Sequence, residues 1–336
     1  MGILKHVIPS ILLILLSACY EDFTPDIPSE PVLCVNSLIT AGKPIKIDIS
    51  RTRLYSDEDS PTTVDDAVVS LFVDGVLQTP DYIPNEGDSI RIHVVSEKYG
   101  CADAEVIVPV STPIKSAKLN PLLTEIWKDD LPSYEMLADI GFNLDLQLTF
   151  DDSPIVKNFY RYTAKAFSKA VDKEAYSTKQ DDTNGYQTDF YPGDLRYDFE
   201  PLFSEHIGTF ESVMGADAYG FTFFTDSSFS GESCTLHLYY LNGRCFIKST
   251  TWDDEIIDCG LELTLHTISQ SYYNLAYYQW IVNEAPMHDL SEIGFGEPIW
   301  GYSNVSTGAG IVAAQACSTI TVSLHDFLEE CLKGTR

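Results

Sequence analysis

Apolar and polar residues alternate along much of the chain with the two-residue period of a β-strand. Residues 45–50, 90–95, 144–149 and 261–266 all carry an apolar side chain at every second position. A strand with one buried face and one face in water has this pattern. The chain is therefore predicted to be mainly β.

Turn signals group these strands. Asp74-Gly75 lies between two valines and predicts a hairpin, and Asn242-Gly243, between residues 235–241 and 244–250, predicts another. Short strands with a turn about every ten residues are typical of immunoglobulin-like folds. Residues 31–113 are therefore predicted to form a small immunoglobulin-like β-sandwich.

A second, larger body is predicted from residue 140 to residue 336. Residues 114–139 follow Pro113, contain Pro121 and Pro132, and are interpreted as a connector with little regular structure. In the larger body, residues 270–284 place aromatic and apolar side chains at helical spacing, which predicts one helix packed on a β-rich, sandwich-like domain. Residues 169–201 are polar, aromatic and rich in turns, and excursions of this length are typical of binding or disordered segments.

The first residues have the pattern of an export signal. Lys5 and His6 precede an apolar run from Val7 to Leu16, and small residues follow. Residues 1–18 are therefore predicted to be a signal peptide. Leu16-Ser17-Ala18-Cys19 resembles the lipobox of bacterial lipoproteins, whose cysteine is acylated, for example with palmitate. The alternative is an ordinary signal peptide followed by a chance cysteine.

The lipid would anchor the protein to a membrane without a spanning helix. The apolar run is shorter than the roughly 20 residues that cross a bilayer, so residues 19–30 are interpreted as a lipidated linker to a soluble body. Glu21 and Asp22 resemble the acidic pair after the lipid cysteine of surface-exported Bacteroidetes lipoproteins, although a solvated linker would also be acidic. We expect an outer-membrane lipoprotein that faces the cell exterior.

Composition excludes one class of partner. The net charge is −29, from 50 acidic and 21 basic residues, and such a surface repels phosphate backbones, so nucleic-acid binding is not expected. The same acidity would suit calcium or cationic ligands, but solubility alone also explains it.

The cysteines leave their pairing open. Seven remain besides Cys19, none in a C-x-x-C pair, so an oxidising compartment would leave at least one thiol over. Cys34 and Cys101 lie near opposite ends of the predicted sandwich and are a candidate pair.

Motifs that would indicate catalysis are missing from the sequence. It contains no H-E-x-x-H, G-x-S-x-G, P-loop or G-x-G-x-x-G pattern, so no catalytic residue is assigned, and a protein that is not an enzyme is predicted. Asp226 and Glu232 are candidate ligands for calcium, and no other cofactor is expected. Tyr186, Tyr191 and Tyr197 are candidates for binding a ligand, because aromatic rings can stack on sugars.

One block of sequence resembles a known family. Glu297 to Val305 reads EPIWGYSNV and is followed by Gly308-Ala309-Gly310-Ile311. It resembles the "EP…YSN(V/I)…G.GI" block of a Bacteroidetes lipoprotein family named domain of unknown function 4249. The usual paired Gly-Ile-Phe-Gly is replaced here by Gly310 to Ala314, and the cysteine content is unusual. Turn and glycine geometry would explain the block, and a ligand site is the alternative.

The resemblance implies an envelope protein found beside TonB-dependent outer-membrane transporters, with no catalytic residues attached to the family. Two hypotheses follow. The first is an accessory or binding protein for such a transporter, with a small-molecule, glycan or peptide ligand left open. The second is a calcium-dependent surface hydrolase or glycan-active enzyme.

Overall fold

The residues that the structure describes form fifteen strands and two α-helices. The computed structural model describes residues 30–53, 62–131, 135–169, 187–207, 220–249, 258–284 and 301–333. The strands are β1 Leu33–Thr40, β2 Asp48–Arg51, β3 Val68–Val73, β4 Val76–Gln78, β5 Ser89–Ser96, β6 Gly100–Ile107, β7 Ile114–Leu131, β8 Glu135–Asp151, β9 Phe159–Lys169, β10 Gln187–Tyr191, β11 Asp194–Leu195, β12 Phe223–Thr225, β13 Ser233–Ser249, β14 Asp258–Ile268 and β15 Val312–Ser323. The helices are α1 Gln270–Glu284 and α2 His325–Lys333.

The strands are arranged in three sheets. A central sheet of six strands has the order β12-β9-β14-β15-β1-β2. A five-stranded sheet has the order β10-β13-β8-β7, with β11 beside β13, and a four-stranded sheet has the order β4-β3-β5-β6. Apart from residues 30, 31 and 53, the described elements belong to one compact unit.

The central sheet contributes to two hydrophobic cores through the same face of β15. Val312 and Ala314, at the start of β15, pack with β1 and the four-stranded sheet. Ile320 and Val322, near its end, pack against the core between β9, β14 and the five-stranded sheet. Since alternate residues of a strand share a face, one continuous strand carries both cores.

Helix α1 covers the opposite face of the central sheet. Tyr273, Tyr277, Trp280 and Ile281 form its apolar stripe and pack with Phe221 and Phe223 at the β12 end of the sheet. The helix has the bounds that its periodicity predicts, and the contacts of the stripe confirm a helix packed on a sheet.

The first and last strands of the described body are joined in parallel. Ser37 of β1 pairs with Val312 of β15, and the register continues to Thr40 and Gln315. Ahead of this ladder, the N–H of Val35 donates to the Ala309 carbonyl at 2.9 Å. Gly310 has a φ of +109°, and a Cβ there would collide with the Val35 carbonyl. The family block therefore contacts β1 closely at Ala309 and Gly310.

Asn304 of the same block takes the place of a strand. The β14–β15 ladder runs only as far as Ile268 and Gln315. Beyond it, the Asn304 Nδ2 donates to the Val312 carbonyl at 2.7 Å, and the Val312 N–H donates to Asn304 Oδ1 at 2.9 Å. One side-chain amide thus bonds both backbone groups of Val312 that β14 does not reach, and the Ser271 hydroxyl donates to the same carbonyl at 3.0 Å. These contacts support the structural interpretation of the block.

The connector predicted at 114–139 is wrong. Ile114–Leu131 is an 18-residue strand whose whole length pairs with β8. Pro121 is tolerated because β7 is the last strand of its sheet, where one side of the backbone needs no ladder hydrogen bond. The sandwich predicted at 31–113 also extends further than expected, since β15 completes its core.

The hairpin predicted at Asn242-Gly243 is also wrong. Ser233–Ser249 is one strand paired with β8, and the register shifts between Tyr240 and Gly243. Asn242 has a φ of +61°, so the two turn-forming residues build a bulge inside the strand rather than a reversal. The hairpin at Asp74-Gly75 is confirmed by the pairing of β3 with β4.

The prediction of a mainly β, sandwich-rich fold is confirmed. Cys19, Glu21 and Asp22, with the predicted signal peptide and nearly all of the predicted linker, lie outside the described residues.

We expect Asn304→Asp to lower the free energy of unfolding by about 1–3 kcal/mol, because a carboxylate cannot donate to the Val312 carbonyl. Asn242→Asp is the matched control, since residue 242 is exposed and aspartate tolerates a positive φ. Denaturant unfolding of both variants checks this, and equal losses would contradict the role of Asn304.

The stability of the α1 cluster should depend on pH through His206. Its ring lies between Phe221 and Trp280, and burial lowers its pKa to about 4. Because the unfolded state binds a proton near pH 6.5 and the folded state only near pH 4, stability is lost as the pH falls through this window, by at most about 3 kcal/mol. Denaturant unfolding at several pH values should show a smaller loss for His206→Phe than for Tyr277→Phe. The same pH slope in both variants would contradict the assignment.

Candidate functional site

A cavity of about 980 Å³ lies where the central and five-stranded sheets meet. Residues 192–198, which contain β11, form one wall, and Tyr162 of β9 and Tyr240 of β13 also line the cavity. The wall is held to the sheet, since β11 pairs with β13 and the Arg196 N–H donates to the Tyr239 carbonyl at 2.8 Å. This cavity is named the tyrosine cavity below.

Two tyrosine hydroxyls meet in the interior beside the tyrosine cavity. Tyr162 and Tyr240 are 1 and 5% exposed, and their oxygens lie 2.8 Å apart. Burial raises the pKa of Tyr162 well above its usual value and the pKa of Tyr240 to about 12. Both hydroxyls therefore stay protonated at physiological pH.

The charged side chains of this cavity are already paired. Arg196 donates to both carboxylate oxygens of Asp198, at 3.0 and 2.7 Å, and its guanidinium lies over the ring of Phe199. This contact lowers the pKa of Asp198. The Asp194 carboxylate accepts a hydrogen bond from the Tyr191 hydroxyl. The cavity thus contains one ion pair, Arg196 with Asp198, and one carboxylate, Asp194, whose partner is a neutral hydroxyl.

A second depression, of about 940 Å³, separates the end of β6 from the turn between β8 and β9. Ile107, Val110, Ile155 and Val156 border it and are 64, 65, 85 and 61% exposed. Large apolar side chains that border one concave surface together are typical of a binding patch. This depression is named the apolar groove below.

The turn that carries Ile155 and Val156 is held from the inside. The side-chain amide of Asn158 donates to Asp152 Oδ1 and to the carbonyls of residues 153 and 156, at 2.9 to 3.1 Å. The second Asp152 oxygen accepts the Gly231 N–H at 2.8 Å. Asp152 and Asn158 thus hold the turn from within while Ile155 and Val156 face the solvent, so the exposed pair is fixed in place.

The interior beside the groove is polar and largely satisfied. Thr112 and Thr267 exchange hydrogen bonds at 3.1 and 3.2 Å, and the buried Tyr160 hydroxyl donates to Asp152. Burial raises the pKa of Tyr160 far above its usual value. This network therefore has a structural role, because each of these buried polar groups has a hydrogen-bond partner within the protein.

The calcium candidates do not converge. Asp226 is 2% exposed, and its carboxylate accepts the Asn158 N–H at 2.8 Å, which helps to hold the β8–β9 turn. Glu232 lies at the surface. Nowhere in the described ranges do three or more His, Cys, Asp or Glu side chains gather as they would around a metal.

The aromatic candidates are divided among different places. Tyr197 lines the tyrosine cavity, Tyr191 lies beside it, and Tyr186 is outside the described residues. Sequence analysis did not predict the hydrogen bond between Tyr162 and Tyr240 or the ion pair of Arg196 with Asp198. The R-x-D spacing at 196–198 was a local signal for the second, whereas nothing in the sequence links Tyr162 to a tyrosine 78 residues away.

A cysteine–histidine pair lies on the α1 side of the central sheet. Cys317 and His266 face each other across β15 and β14, with the sulfur 3.3 Å from Nδ1. Burial raises the pKa of the Cys317 thiol and lowers the pKa of His266. Both are neutral near pH 7, so the thiol lacks the activation of a catalytic cysteine.

The candidate disulfide between Cys34 and Cys101 does not form. Both are free thiols, and each lies at an outward position of its strand, in different sheets.

Comparisons with known proteins place the chain in a family without giving it a function. Within the described part of the chain, no helix is both long and apolar enough to cross a bilayer. No curated protein and no solved structure matches the chain. A family model described as a domain of unknown function, DUF4249, matches residues 20–321. The chain therefore belongs to the DUF4249 family.

Proposed function

We propose that this protein is an outer-membrane lipoprotein, anchored through acylated Cys19 and exposed to the cell exterior, that serves as a non-enzymatic accessory protein of a TonB-dependent transporter. The apolar groove is its docking surface for the transporter. The observation that carries the proposal is the rigidly held β8–β9 turn, which presents Ile155 and Val156 to solvent.

Support for the anchor comes from the sequence. The lipobox-like residues before Cys19 and the acids at Glu21 and Asp22 combine an export signal with a lipid site. Stable anchoring by acyl chains needs no spanning helix, because each buried methylene contributes about 0.8 kcal/mol.

Support for docking comes from the cost of leaving the groove uncovered. Four large apolar side chains surround a concave surface, and burying each against a partner contributes about 1.5–3 kcal/mol. The turn is already ordered by Asp152 and Asn158, so a partner would not have to fix it on binding. Such a surface suits an apolar patch on another folded protein.

The alternative, a surface hydrolase, gains no comparable support. Glycoside hydrolysis needs two carboxyl groups, one of them with a raised pKa, on either side of the substrate. In the tyrosine cavity, Asp194 is held by Tyr191, and Arg196 keeps the pKa of Asp198 low. Burial raises the pKa of Glu200, but its carboxylate accepts two backbone N–H groups, of His237 and Leu202.

The test is crosslinking of the full-length protein in intact cells, followed by affinity capture and mass spectrometry. The wild-type protein should recover a TonB-dependent transporter in a fixed ratio. The double variant Val110→Glu/Ile155→Glu should recover at least about tenfold less, because two carboxylates would be buried in the contact.

The control is Val68→Glu/Leu77→Glu on the four-stranded sheet, where both side chains are as exposed as those of the groove, at 66 and 62%. It should capture the transporter as the wild-type protein does. Capture of the lipoprotein alone would contradict the transporter proposal, and equal capture by the groove variant and its control would contradict the docking surface.

A further inference from the structure

We propose that the tyrosine cavity is a binding site for a neutral saccharide residue, which accepts a hydrogen bond from the Tyr162–Tyr240 pair. This site is separate from the apolar groove and does not depend on the docking proposed above. The two sites share no lining residue.

The first argument is the number of protons on the two tyrosines. Each hydroxyl carries one proton, and a single hydrogen bond joins the two oxygens at 2.8 Å. One O–H donor therefore remains, and no acceptor for it is found among the described residues. A buried donor without a partner costs about 1–3 kcal/mol. A ligand oxygen in the cavity would remove this cost.

The second argument is charge. The ionised groups that line the cavity are Asp194, Arg196 and Asp198. Arg196 is held by both oxygens of Asp198, so an anionic ligand would have to displace this partner. Asp194 accepts from the neutral Tyr191 hydroxyl, so the lining keeps one net negative charge, which also repels an anion. The cavity therefore disfavours an anionic ligand, whereas a neutral ligand meets no such repulsion.

The third argument is that the cavity is lined by both an aromatic ring and a planar ion pair. Tyr197 contributes aromatic surface, because the rings of Tyr162 and Tyr240 are almost fully buried. The planar pair of Arg196 and Asp198 offers donors and acceptors side by side. A pyranose has apolar C–H faces and a rim of hydroxyls that both donate and accept. Among neutral ligands it meets both features of the cavity.

The cavity is also large enough and its wall is ordered. A volume of about 980 Å³ lies at the upper end of the range for small-ligand sites. Because β11 and Arg196 are bonded to β13, the wall is part of the sheet, and a ligand would meet side chains that are already positioned.

The experiment is calorimetric titration of the full chain with neutral trisaccharides built from glucose, mannose, galactose, xylose or N-acetylglucosamine. At least one should bind with a Kd below about 1 mM. Tyr162→Phe/Tyr240→Phe keeps both rings and removes both hydroxyls, and it should bind that sugar at least about tenfold more weakly.

The control is Tyr99→Phe/Tyr277→Phe, which removes two tyrosine hydroxyls away from the cavity and should keep the wild-type affinity. The Tyr162/Tyr240 variant should still capture the transporter, because the two sites share no lining residue. Failure of sugar binding would therefore leave the docking proposal standing. The proposal is overturned if none of the trisaccharides binds at about 10 mM. It is also overturned if the Tyr162/Tyr240 variant binds as tightly as the control.

Discussion

The parallel pairing of β1 with β15 is the contact on which the rest of the structure depends. It joins residues about 275 positions apart in the chain, such as Thr40 and Gln315. Without it, the core of the four-stranded sheet would lose the strands that pack against it, because Leu33 and Val35 pack there together with Val312 and Ala314. The family block lies beside this pairing, where β14 ends. Its Asn304 bonds β15, and its Gly310 allows close contact with β1.

Short-range patterns predicted the elements well because burial of one face imposes a two-residue period on each strand. Helix α1, the strand that contains Leu144 to Leu148 and the turn at Asp74-Gly75 all follow from such patterns. The pairing of the strands did not follow from these patterns. Asn242-Gly243, for example, has the same local chemistry in a bulge as in a hairpin. Only the continuous partner β8 decides between them, and that partner lies about 100 residues earlier.

The candidate sites were predictable only in part for the same reason. The aromatic excursion around Tyr197 does line a cavity, but the partner that makes the cavity chemically distinct, Tyr240, comes from another strand. Asp226 was considered for calcium, yet its carboxylate holds the turn that exposes Ile155. An acidic residue in a loop binds a metal or a backbone with the same oxygens, and the sequence does not distinguish the two.

Both proposed surfaces depend on one body that holds them in fixed positions, and this is most directly tested by native-state hydrogen exchange. The amides of Val35 and Val312 at the joint, Ile92 in the four-stranded sheet and Leu146 in the five-stranded sheet should open with one common free energy, that of global unfolding. Opening of Ile92 and Val35 at a clearly lower free energy than Leu146 would show two separate domains, and would contradict the account.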